Sequence, residues 1–409
     1  METFDIWPLY AESVRTALGF FWKAGWAFVL GYAVSAMIQA FVPKARLTRY
    51  MGDPGMRSVS LAAVFGAASS SCSFAALAAA RSLVLKGAHF VAAVAFMFAS
   101  TNLVIELGIL ILIFLGWQFL AAEILGGLVL IAISTLLIRL TYPKTWLNAA
   151  RDRVERQAEA EEVDFDWRER IRSRQGWEIV GARFVMDWQM VWKEILIGFT
   201  VAGFVAVLVP AQWWSALFLV DAAETLPGWL VRLENAALAP FVAAATFIGS
   251  MGNIPLATVL NANGVLFAGI MGFIYSDLMV PPLVAINAKY YGWRVALYIA
   301  GIMYLSIVAT ALILDGLFTV LDIVPETGRR VSEVVQFRID YTFWLNLAFI
   351  VVAAVLIWLW RRHSARPGAM HHEMEGDGPL KTGAAYIAAV VVLGGVGAIT
   401  FAGSASGGV

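Results

Sequence analysis

Apolar stretches long enough to cross about 30 Å of hydrocarbon recur along the whole of this chain. That recurrence confines it to the folds a bilayer permits. With no water in the hydrocarbon, every backbone N–H and C=O must be satisfied within the protein, which leaves helices and closed barrels as spanning structures. Segments of this length read as helices, so the expected class is an all-α polytopic membrane protein. Composition agrees: 60% of residues are hydrophobic and 14% charged, against roughly 45–50% and about 25% in soluble domains. The sixteen tryptophans suit interfacial belts. A net charge of zero suggests no nucleic-acid partner. The single cysteine excludes an internal disulfide framework, a CxxC pair and a cysteine-based metal site. The N-terminus carries Glu2, Asp5 and Glu12 before Arg15, unlike the positive n-region of a signal peptide, so residues 17–42 read as a retained membrane helix.

Within this apolar background, one polar tract stands out. Residues 60–80 read SLAAVFGAASSSCSFAALAAA, which gathers Ser69, Ser70, Ser71, Cys72 and Ser73 at expected membrane depth. Small residues let helices approach closely, so the tract could be a packing face. Irregular backbone at that depth is tolerated only where protein or a water-filled cavity surrounds it. The alternative is therefore a broken helix or re-entrant turn that forms a transport site. Cys72 could offer a soft sulfur to a thiophilic solute, or sit as a small buried hydrophobe.

The chain also matches itself. Residues 31–43 (GYAVSAMIQAFVP) parallel residues 198–210 (GFTVAGFVAVLVP), and a Trp-Lys pair precedes each, Trp22-Lys23 and Trp192-Lys193. Gly87 to Phe96 resembles Gly264 to Phe273, each leading into a polar break: Ser100-Thr101-Asn102 in one half, Ser276-Asp277 in the other. Upstream lie the serine tract and its counterpart, Gly249-Ser250-Met251-Gly252-Asn253-Ile254-Pro255. Three landmarks in one order point to a duplicated architecture. Basic residues set orientation: Lys44, Arg46, Arg49 and Arg57 mark a cytoplasmic loop, whereas 211–235 is acid-rich and reads as external. These signs fit if 58–85 is a hairpin entering and leaving on the cytoplasmic side, with 87–115 and 117–142 crossing. The equivalent hairpin, 236–262, then enters from outside, and the two tips meet near the midplane, as in secondary transporters. The expected organisation is a first repeat over 1–142, a charged cytoplasmic linker over 143–189, a second repeat over 190–320, and a C-terminal pair of helices over 321–409. Were 58–80 to span fully, the repeats would be parallel instead.

Intramembrane acids are costly, about 2.5–3.5 kcal/mol at a helix centre, so they face protein or water. Asp277 lies deep in a span just before Pro281-Pro282, and Glu106 follows Ser100-Thr101-Asn102; both are candidates for proton coupling or structural pairing. Glu123 and Asp315 fall nearer expected helix ends and read as interfacial. In the second half Ser250, Asn253 and Pro255 form either a ligand site or a simple Gly-Pro kink. His363, His371 and His372 lie in an acidic linker without firm metal-ligand spacing, so no metal or cofactor is expected. The chain has no Walker A, HExxH, GxSxG or dinucleotide loop, so neither ATP-driven transport nor enzyme chemistry is supported.

At these residues the chain resembles a large permease family that includes the bacterial organoarsenical efflux permeases. The resemblance covers roughly 15–320. It rests on the Ser-Cys-Ser tract followed by Arg81, Lys86-Gly87, Ala95-Phe96 and Asn102, and on Gly272-Phe273-Ile274-Tyr275-Ser276-Asp277-Leu278, then Pro281 or Pro282 and Lys289-Tyr290-Tyr291-Gly292. It implies a multi-pass protein of the bacterial cytoplasmic (inner) membrane, with metalloid efflux as one expectation. Family members commonly carry Cys-Ser-Cys where this chain has Ser70-Ser71-Cys72. One thiol among hydroxyls suits a monovalent thiophile or a small neutral or anionic solute.

The resulting expectation is a secondary-active permease of a small solute or ion. Ser70, Ser71, Cys72, Ser73, Ser100, Thr101, Asn102, Ser250, Asn253 and Pro255 would line the substrate site, and Asp277 and Glu106 would couple the cycle. A passive channel and a membrane scaffold acting through the 143–189 loop remain the alternatives. A homo-oligomer stays open, since no motif specifies one.

Overall fold

The computed structural model describes residues 6–41, 55–69, 73–85, 88–141, 167–246, 249–325, 331, 337, 339–365 and 379–405. These residues form helices throughout, with no strand among them. The first is α1 (Ile6–Phe41), 36 residues long. At 1.5 Å per residue it runs about 54 Å, so it outreaches the hydrocarbon and must tilt or project. Then come α2 (Met56–Ser69), α3 (Ser73–Leu85), α4 (Phe90–Asn102), α5 (Ile105–Phe114) and α6 (Trp117–Thr141). After the short α7 (Trp167–Arg172), α8 (Arg174–Leu208) is again a 35-residue helix. The short α9 (Ala211–Leu217) leads to α10 (Gly228–Thr246), α11 (Ser250–Ala262) and α12 (Phe267–Ile274). A 3-10 turn (Tyr275–Met279) links α12 to α13 (Pro281–Tyr291), followed by α14 (Trp293–Val320), α15 (Tyr341–Ser364) and α16 (Pro379–Ala405).

Five helices are long and apolar enough to cross a membrane, or up to seven if each bent pair counts as one span. The bent pairs are α4–α5, at 42°, and the α12 segment with α13, at 43°. Each bend has a local cause. Val104 takes an extended conformation at the first. At the second, Val280 is extended and Pro281 opens the next helix; proline excludes its predecessor from helical geometry and fits the first helical position. His89 caps α4 by accepting from the Val91 N–H at 3.2 Å. A bent pair followed by a long helix occurs twice, as α4–α5 with α6 and as α12–α13 with α14; two helices separate α1 from the first pair, and three, counting the short α9, separate α8 from the second.

α1 and α8 pack along much of their length. Close approach needs a small residue: a Cβ at Gly203 would lie 2.7 Å from the Ala17 Cβ. Phe20 and Phe28 of α1 stack around Phe199 of α8 at 6.2 and 5.8 Å between centroids. α15 and α16 lie against α1 and α8, and only 11% of the α15 span is buried, so most of its surface is left for lipid.

Part of the stretch expected as a charged linker is helical, while the membrane-length span of that helix is Val191–Leu208. The linker assigned to 143–189 ends inside α8, whose helix begins at Arg174. The charges that made 174–189 look like a loop are absorbed by packing. Asp187 accepts from Gln39 Nε2 at 2.8 Å, and Glu178, also buried, lies 3.7 Å from Arg174 one turn away. Residues 142–166 and the His371-His372 segment lie outside the described residues.

Candidate functional site

The breaks in the two short-helix pairs come together. Ser73 is the first residue of α3 and Ser250 the first of α11, and their hydroxyl oxygens lie 3.4 Å apart. Ser73 Oγ donates to Asp277 Oδ2 at 3.0 Å. The Ser250 hydroxyl is a second hydrogen-bonding group beside that carboxylate. All three residues are buried, and Asp277 Oδ1 has no partner among the described residues. Two helix N-termini, each with unsatisfied N–H groups and a partial positive charge, therefore converge on one intramembrane carboxylate.

Local sequence explains the placement. α11 starts at Gly249, which offers no capping side chain. A Cβ there would run into the Glu194 carboxylate of α8, so glycine is what allows that acid to reach the helix end. Pro255, buried within α11, lacks the N–H that would pair with the Met251 carbonyl. Asn253 is fully buried; its Oδ1 accepts from Thr246 Oγ1 at 3.4 Å and its Nδ2 has no partner among the described residues. Ser276 is held away by donating its hydroxyl to the Gly272 carbonyl.

Other expected site residues are placed differently. Ser70, Ser71 and Cys72 lie outside the described residues. Ser100 and Thr101 spend their hydroxyls on their own helix, on the Met97 carbonyl at 3.0 and 3.2 Å. Asn102 Nδ2 donates to the Phe98 carbonyl at 3.2 Å, leaving Oδ1 without a partner among the described residues. Glu106 is buried with its aliphatic stem against α1, in the space that Gly31 leaves empty.

Residues 10–316 match the predicted permease family ArsP_1. The chain belongs to that family. It is 38% identical over 329 residues to the Mycobacterium tuberculosis (strain ATCC 25618 / H37Rv) protein named "Putative permease Rv2963", a match covering 77% of this chain and 79% of that protein. No solved structure matches. A permease-family membrane protein is thus established, and the buried Ser73–Ser250–Asp277 junction lies inside the matched region.

Three groups of interest escaped sequence reading. Glu194 stands one residue after the Trp192-Lys193 landmark, so its signal was present as an acid entering an apolar span. Glu123, read as interfacial, is instead 1% exposed inside α6. Asp315 is also buried, where Arg232 Nε meets it at 3.2 Å. Both acids are covered because neighbouring helices pack across these parts of α6 and α14.

Proposed function

We propose that this protein is a gradient-driven permease of a small solute, with its solute site at the junction of α3, α11 and the 3-10 turn. One observation carries the reading: two half-helix starts, Ser73 and Ser250, present hydroxyls to a buried carboxylate, Asp277. Discontinuous helices whose N-termini face a midplane site are the device secondary transporters use for anionic groups. The two bent pairs, each followed by a long helix, support a duplicated architecture, which we read as two inverted repeats in a bacterial inner membrane.

On this reading the ionised Asp277 occupies the place of a solute anion. It takes the Ser73 hydroxyl and neutralises the helix ends. Protonation removes its charge and frees those donors, so a small anion or oxyacid binds together with a proton. Asn253 and the kinked α11 supply further polar contact, and Glu194 at the α11 start disfavours a second anion while Asp277 is charged. Cys72, one residue before Ser73, would add a thiol for thiophilic, metalloid-type solutes.

The test uses proteoliposomes loaded with a pH-sensitive dye and challenged with inorganic oxyanions and trivalent arsenicals. Solute-dependent proton movement should occur with the native protein and fall more than tenfold in well-folded Asp277→Asn. Unchanged proton-coupled flux in that variant would remove Asp277 from the cycle. Flux at ion-channel rates would select a passive pore.

A further inference from the structure

A cavity of about 390 Å³ opens beside the α4–α5 break. Its walls include Ile105, Leu112, Ile124 and Leu128, whose side chains are half exposed on the outer faces of α5 and α6. Outward apolar faces of spanning helices are the surfaces that meet lipid, so the cavity opens toward hydrocarbon. At its inner end lie Asn102 and Glu123. Glu123 is 1% exposed, and neither carboxylate oxygen has a hydrogen-bond partner among the described residues.

Such a group cannot be a passive structural acid. A buried carboxylate with no donor at either oxygen bears the full desolvation penalty of its charge. Among the described residues no cation pairs with it, and the cavity that leads to it opens on hydrocarbon, where a free ion is costly. The one ligand that fits is a proton. Behind Glu123 stands Tyr275, whose hydroxyl donates to the Ala122 carbonyl at 2.8 Å and fills the space over Gly126, one turn along the same face of α6. Tyr275 lies two residues from Asp277 in the same 3-10 turn, so the turn that seats Tyr275 beside Ala122 also holds Asp277 close to this face of α6.

We propose that Glu123 is a second proton-carrying carboxyl, reached from the lipid side through this cavity, and that its proton occupancy depends on the charge of Asp277. The charged and titratable groups around it are few. The 3-10 turn brings Tyr275 and Asp277; α4 and α12 contribute none; Glu106 of α5 has its stem against Gly31; and on α14 Asp315 is paired with Arg232, Tyr298 with Thr141 at 2.7 Å, and Tyr304 donates to the Ala237 carbonyl. Asp277 is therefore the acid brought toward Glu123 by the same turn that seats Tyr275 on α6. This deepens the permease reading by giving its coupling proton a second station.

The experiment is covalent labelling with dicyclohexylcarbodiimide, a hydrophobic reagent that modifies protonated carboxyls, on the full-length protein in lipid nanodiscs. Adducts are located by peptide mass spectrometry across a range of pH. We expect an adduct on Glu123 that is lost in Glu123→Gln and fades as pH rises. In Asp277→Asn, removal of the neighbouring negative charge should move the fading of the Glu123 adduct to lower pH by about one unit. Asp277→Ser carries the same test should the Asn variant not fold. Labelling of other carboxyls but not Glu123 would overturn access through the cavity, and a Glu123 profile unmoved by both neutral variants would overturn the linkage. Because labelling needs no transport, it separates this inference from the permease reading: an intact Glu123 profile with no solute flux sinks only the latter.

Discussion

The junction makes a quantitative demand on Ser73. Its hydroxyl donates at 3.0 Å to Asp277 Oδ2, and both residues are buried. A hydrogen bond to a charged group contributes about 1.5–3 kcal/mol and a neutral one about 0.5–1.5 kcal/mol. Ser73→Ala should therefore destabilise the native protein by about 2 kcal/mol, and the same change in an Asp277→Asn background by about 1 kcal/mol. The interaction energy of the cycle is then about 1–2 kcal/mol, well outside the additivity expected of independent sites. Equilibrium unfolding of the purified protein in mixed micelles would measure it, with the fluorescence of the sixteen tryptophans as the signal. The coupling should disappear on acidification, once Asp277 is protonated in every variant. Ser100→Ala is the control: its hydroxyl serves the Met97 carbonyl of its own helix, so it should show no coupling to Asp277. A Ser73–Asp277 coupling below about 0.5 kcal/mol near neutral pH would refute the view that Asp277 is held as a charged, serine-ligated group.

Three further outcomes follow from particular contacts. Gly249→Val should force Glu194 from the start of α11 and cost about 1–3 kcal/mol of stability as overpacking does, with loss of solute flux even where the protein still folds. Arg232→Met should destabilise by about 1.5–3 kcal/mol because it strands Asp315, which is only 8% exposed, and adding Asp315→Leu should restore much of the loss. At the start of α15, slight burial pushes Asp340 up, but the Lys23 hydrogen bond, the Thr342 N–H and the Lys23 charge together hold it below the ordinary carboxylate range. A lowered folded value gives stability that is complete above about pH 4 and lost as pH falls through that lowered value. The pair is solvent-screened, so Lys23→Met should cost about 0.2–1 kcal/mol at neutral pH and nothing in strong acid, read from the unfolding midpoint.

Much of the fold was legible because bilayer constraints write themselves into sequence. The serine tract offered either a packing face or a break between helices, and Ser73 opens α3 while Ser70, Ser71 and Cys72 lie outside the described residues. The glycine and proline cluster implied another, and α11 starts at Ser250. Asp277 announced itself as an acid inside an apolar run. What was not legible depends on partners far away in sequence. Nothing local says that Ser100 and Thr101 turn back on their own helix, since a helical serine has its own carbonyls within reach at any depth. Glu123 looked interfacial because distance from a helix end was the available guide, whereas burial depends on α4, α12 and α14 packing across that end. Asp187, inside the expected linker, likewise reads as solvated until Gln39 of α1 is placed beside it.

The junction also bears on why a permease would keep an acid where it is costly. If Ser73 and Ser250 faced only each other, two hydroxyls and two helix N-termini would form a fixed anion site, and a tightly held anion would leave slowly. An acid that competes for the same donors makes the site's affinity depend on its own protonation. With Asp277 ionised, the donors are taken and a bound anion is repelled; with Asp277 protonated, they are free. On the proposed function, solute and proton bind and leave together because they exclude the same carboxylate charge, which requires no contact between them. The 3.0 Å hydrogen bond from Ser73 to Asp277 is the contact on which this competition rests. It also sets the consequence of Asp277→Asn: an amide cannot release the site by ionisation state, so the variant should still bind a small anion at equilibrium while losing the dependence of that binding on pH. Binding by Asp277→Asn that kept the native pH dependence would place the coupling on another acid, and Glu123 would be the first to examine.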